Sequence, residues 1–175
     1  MNSDTGAELR RVRDNLRSDG AGYILFGVWG VLKILITVTM NKPFLEKIME
    51  EMEFEADDDL ERMVANIVMF IFFAIIALIT LLVHLYIGLG AVRYSKGTKK
   101  KKGFLVAAVI LIILTIHGIT GYFDPGDYRD DDYDSLFASV LVDLTAIFLL
   151  VDMLYSVYRI KRMEKLSVGE GQVQA

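Results

Sequence analysis

DSLFASVLVDLTAIFLLVDMLYSVYRIKR, from Asp134 to Arg162, is an apolar run long enough to cross a bilayer, yet it carries two carboxylates, Asp143 and Asp152. A helix needs about 20 apolar residues to cross a hydrocarbon core of about 30 Å. A charge at that depth costs on the order of 2.5 to 3.5 kcal/mol by insertion scales, so each Asp is expected to face protein, water or a proton. Tyrosines aside, the other ionisable groups well inside apolar runs are Lys33, His84 and His117. These five residues are expected to decide how the helices pack.

The composition agrees with a membrane protein. Of 175 residues 54% are hydrophobic, against roughly 45 to 50% in soluble domains, and the mean hydropathy is +0.42. The chain has no cysteine, which removes disulfides, thiolate metal sites and cysteine nucleophiles together. With two prolines, most of it is free to be helical. The expected fold class is all-α: a polytopic integral membrane protein with four transmembrane helices in a bundle and short amphipathic interfacial helices.

Residues 1–19 form the first division, a polar segment closed by Ser18-Asp19-Gly20, which reads as a breaker. Within it Thr5 and Glu8 have capping-box spacing. Leu9, Val12 and Leu16 fall at helical spacing among Arg10, Arg11, Arg13 and Arg17, the pattern of a short helix on an anionic leaflet; the alternative is a mobile tail. The membrane domain, residues 20–162, has spans at about 20–41, 63–92, 104–123 and 135–158. Between the first two, Phe44, Leu45, Ile48, Met49 and Met52 make one stripe opposite glutamates, which predicts an interfacial helix over 44–62. Residues 163–175 read as a disordered tail.

Charge supplies the topology. The connection from Arg93 to Lys102 carries six cations and no acid, including Lys99, Lys100, Lys101 and Lys102, and four cations stand against two acids after span four. The other two connections are acidic, nine acids to three cations over 42–62 and six to one over 124–134. Since Lys and Arg in short loops set orientation, both termini and the lysine loop are expected in the cytoplasm of a plasma-membrane protein, with anionic lipid at the Arg and Lys clusters. A lysine block between spans is what orientation produces, so nucleic acid is not an expected partner. Asp130, Asp132 and Asp134 begin a calcium-loop spacing, but Ser135 and Leu141 stand where it requires Gly and Glu.

At 1.5 Å per residue, Lys33 lies about 18 Å and His117 about 20 Å from the inner ends of their spans, and Asp143 about 12 Å below the outer end of its own. Lys33, His117 and Asp143 are therefore expected in one polar layer. His84 and Asp152, roughly 10 to 14 Å above the inner boundary, form a second. Nine residues separate Asp143 from Asp152 and put them on nearly opposite faces, so span four is expected between spans one and two, Asp143 toward Lys33 and Asp152 toward His84. Alternatively, one of the two points at a partner protein.

No hydrolase, zincin, P-loop or dinucleotide motif is present, so no catalytic, cofactor-binding or metal residue is assigned and the chain is not expected to be an enzyme. The two histidines fall in different layers with no ligand pair at helical spacing. The expected function is a non-enzymatic accessory, assembly or immunity-type protein that binds another membrane or secreted protein. The alternative is a subunit of an oligomeric proton- or ion-linked transporter or channel that uses the intramembrane Asp, His and Lys, which would require a homo-oligomer or other assembly.

Overall fold

The computed structural model describes residues 3–40, 59–97, 102–121 and 133–173, together with position 48. Their regular elements are four α-helices: α1 Ser3–Met40, α2 Asp59–Ser95, α3 Gly103–Gly121 and α4 Tyr133–Val173. Each contains a segment long and apolar enough to cross a bilayer, respectively Gly6–Ile36, Leu60–Ser95, Gly103–Thr120 and Phe137–Leu166. The shortest, α3 with 19 residues, is about 28 Å long at 1.5 Å per residue and so just matches the hydrocarbon thickness. Large side chains such as Val28, Phe72, Ile113 and Phe148 point outward and are exposed. In lipid such a surface needs no further cover, because the acyl chains are as apolar as the side chains.

Two elements run further than their composition suggests. No break occurs at Ser18-Asp19-Gly20, and α1 is one helix from Ser3 onward. Val12 and Leu16, expected on a leaflet surface, are buried inside the protein. At the other end, α4 continues through the polar tail to Val173, with Ile160 and Met163 buried. Packing here overrides local propensity, since one glycine in a helix costs only about 1 kcal/mol relative to alanine. Of the interfacial helix expected over 44–62, only Ile48 and the residues from Asp59 onward are among those described, the latter as the first turn of α2.

The chain divides into two units, Met1–Ile24 with Leu85–Ala175, and Leu25–His84. In the first, four helical segments follow one another in a ring. Gly20 of α1 and Gly88 of α2 bring two backbones together, and Gly88 also receives Ile24. Gly90 of α2 accommodates Phe104 of α3, whose ring centroid lies 6.0 Å from that of Tyr94. Next, α3 packs on α4, and α4 returns to α1 where Leu149 meets the position of Gly22 at 3.9 Å. Span four is therefore not interposed between spans one and two in this unit: Gly20 and Gly88 leave no room between them. Gly97 ends α2 with φ +71°, and its N–H donates to the Tyr94 carbonyl at 3.0 Å, the left-handed cap that glycine adopts without a Cβ clash.

The second unit consists of the later part of α1 and the earlier part of α2. His84 packs its Cβ into the notch at Gly27, and the Thr80 methyl lies against Gly30. Among its described residues Val38, Ala65, Met69 and Ala77 are the buried apolar ones.

Candidate functional site

The polar side chains of the first unit gather where α1 and α4 run antiparallel. Asp19, one residue before the apolar stretch of α1, faces Asp152 of α4 closely enough for their carboxyl groups to interact directly. The Asp19 Oδ2 is sealed from solvent and has no hydrogen-bond partner among the described residues. Two carboxylates in such a position repel unless a proton or a cation lies between them. Three residues further along α1, Gly22 opposite Leu149 keeps the same register. Asp152 thus stands level with the start of the α1 apolar stretch.

Beyond this pair the helices are tied by two ion pairs. Arg13 Nη2 donates to Glu164 Oε1 at 2.9 Å, and Arg159 Nη2 donates to Glu8 Oε1. The Arg159 guanidinium also lies 5.8 Å from the centroid of the Tyr155 ring, within cation–π range. Side chains in both pairs are a third to a half exposed, so each contributes only about 0 to 1 kcal/mol and serves mainly to set register. On the same unit, Lys161 of α4 and Lys102, just before α3, set two like charges in one neighbourhood.

The remaining residues singled out from the sequence are distributed as follows. His84, half-buried, has Nδ1 2.8 Å from the Thr80 carbonyl; because a carbonyl can only accept, Nδ1 carries the proton and donates. Lys33 is exposed in the second unit and Asp143 half-buried in the first, and each engages another group. His117 is exposed on α3. Its own carbonyl accepts from Thr120 Oγ1 at 2.6 Å, while its imidazole has no hydrogen-bond partner among the described residues. Those residues contain no group of three or more His, Asp or Glu side chains able to hold a metal.

Sequence reasoning overlooked Asp19 and Lys161. Asp19 was absorbed into a supposed breaker, and Lys161 into the cationic end of a span. A signal for Asp19 was nonetheless present, since it is the last acid before an apolar run and a helix continued backward would carry it into the packed region. No known protein family matches the chain, and no curated protein or solved structure matches it either.

Proposed function

We propose that this chain is a non-enzymatic membrane helper, an accessory, assembly or immunity-type protein that binds another membrane or secreted protein. The observation that carries this reading is one face of α3. Val106, Ile110, Ile113 and His117 recur at intervals of four, three and four residues, and all are exposed. Beside them, the position of Gly118 has open space within 4 Å. Lipid tails offer an imidazole no partner, whereas an adjacent helix does, and a small residue next to it permits close approach. A photo-crosslinking residue at Ile113 should give a protein-sized adduct in native membranes, and one at the buried Ala108 should not. Only lipid adducts at both positions would sink the reading, and an adduct of twice the chain mass would make the partner a second copy.

The proposed setting is the plasma membrane with both termini cytoplasmic, supported by the six cations from Arg93 to Lys102 and the acids of the other two connections. Anionic lipid then meets Arg10, Arg11 and Arg17, whose side chains are exposed, while Arg13 is occupied by Glu164. Cysteines introduced at Glu53 and Asp131 should react with an impermeant thiol reagent on intact cells, and one at Thr98 should not. The reverse pattern would invert the orientation.

A second reading, a subunit of an oligomeric proton- or ion-linked transporter, is favoured by the Asp19–Asp152 pair. Its test is proton flux in liposomes. If flux exists and Asp152→Asn abolishes it, transport displaces the helper reading.

A further inference from the structure

We propose that Asp19 and Asp152 share a single proton, which clasps α1 to α4 in the first unit and is released as the pH rises. The helix register sets the two side chains at one level, independently of their charge. A Cβ at Gly22 of α1 would lie 3.9 Å from Leu149 of α4. Because the helices run antiparallel, three residues back on one and three forward on the other arrive at Asp19 and Asp152 together. Their carboxyl groups are close enough to interact directly. The Asp19 Oδ2 is sealed from solvent and meets no donor among the described residues. An ionised carboxylate only accepts, so Asp152 cannot supply the missing donor; one added proton makes an O–H that donates across the pair and removes one of two like charges. Neither helix is free to turn its aspartate out to water, because Leu16 and Tyr23 of α1 and Met153 and Ser156 of α4 are buried on the same stretch.

Among the described residues, the surrounding elements offer no cation in the proton's place. Arg13 and Arg159 on the same two helices are held by Glu164 and Glu8. Arg17, two residues from Asp19, stands on another face of α1 and is exposed. Tyr23 and Ser156, one turn beyond Asp19 and Asp152, are neutral at the pH values concerned. On α2 the residues that meet Gly20 are Gly88, Ala91 and Val92, none of them ionisable, and Arg93 beyond them is exposed. The one ionisable side chain of α3, His117, is exposed as well. The proton comes from water and returns to it; once it leaves, two carboxylates face each other across the seam and the α1–α4 contact weakens. The helper reading does not depend on this clasp, and holding a proton requires no flux across the membrane.

The test uses the full chain in nanodiscs at about pH 5 and about pH 8, both above the ordinary aspartate value near 3.9. Infrared difference spectra, wild type minus Asp152→Asn and wild type minus Asp19→Asn, should each show the carbonyl stretch of a protonated carboxyl at the lower pH and lose it at the higher. The thermal midpoint of wild type should fall by about 2 to 4 °C between the two, the shift that a several-fold change in the folding constant produces in a chain of this size. The sign follows from linkage: the folded pair still binds a proton that the unfolded chain has already released, so stability drops as the pH rises. An asparagine carries its own N–H at every pH, so each variant should lose this part of the fall. His84 and His117 titrate in the same range but are common to all three proteins, and they cancel in the comparison. If either variant fails to fold, the other carries both measurements. An absent acid band in wild type, beside variants that still flatten the midpoint, would mean that a bound cation neutralises the pair and would overturn the proposal. Equal pH dependence in wild type and variants would show that no proton clasps the helices, and would overturn it as well.

Discussion

Gly20 and Gly88 meet backbone to backbone. A Cβ on Gly20 would stand 2.8 Å from the Gly88 carbonyl oxygen, and a Cβ on Gly88 would stand 2.6 Å from the Gly20 carbonyl oxygen. The obstruction in each direction is main chain, which cannot rotate away as a side-chain tip does. This is the close approach that small residues allow between membrane helices, and it makes α1 and α2 direct neighbours in the first unit.

Gly88→Ala should therefore lower the thermal midpoint in detergent, with a cost of about 1 to 3 kcal/mol typical of overpacking. Gly118→Ala, where nothing lies within 4 Å, should be neutral or slightly stabilising through helix propensity. Equal behaviour of the two variants would contradict the crossing.

At Gly27 the obstacle is the His84 Cβ, 2.5 Å from an added methyl, with the ring close behind at 2.9 Å. Gly27→Ala should destabilise alone, and pairing it with His84→Ala should recover part of the loss, since contacting residues couple by about 0.5 to 3 kcal/mol. A thermal double-mutant cycle with no coupling would separate these residues.

The Asp19–Asp152 contact makes an unusual forecast for an acidic residue. Asp19→Asn replaces a repelling carboxylate with an amide that can donate to Asp152, and it should stabilise the protein by about 0.5 to 1 kcal/mol, the scale of partly exposed charge interactions. Asp152→Asn should act in the same direction, and the double change should fall short of the sum. Loss of stability on either single substitution would mean that something in the native protein already neutralises the pair.

Arg13–Glu164 and Arg159–Glu8 should each show coupling of about 0.2 to 1 kcal/mol in double-mutant cycles. The coupling should shrink as salt rises from about 0.1 M to 1 M, where the screening length falls from about 10 Å to about 3 Å. Salt-independent coupling would show that the pairs are more deeply shielded than their exposure indicates.

Four apolar runs separated by charged connections were legible because the bilayer demands them, and each run is a helix. The polar flanks were less legible. Ser18-Asp19-Gly20 reads locally as a stop, but Gly20 is needed for contact with Gly88, and contact outweighs its low helix propensity. Residues beyond Tyr158 look soluble, yet Ile160 and Met163 are buried and Arg159 and Glu164 are paired across to α1. Counting Asp152 by rise along its own helix gives a depth but has no means of setting Asp19 opposite. Neighbour order was hidden as well, because glycine spacing shows where a helix can be approached and says nothing of which helix approaches it.

The first unit joins residues up to Ile24 with residues from Leu85 onward, so its oldest part during synthesis waits for its youngest. Val12 and Leu16, wholly or almost wholly covered in the folded protein, belong to a unit that is incomplete until its later helices have been made. At synthesis rates of about 5 to 20 residues per second, the first and last parts of this unit are made on the order of ten seconds apart. A chain cut short before Arg159 would also lack both ion pairs that tie α4 to the early part of α1.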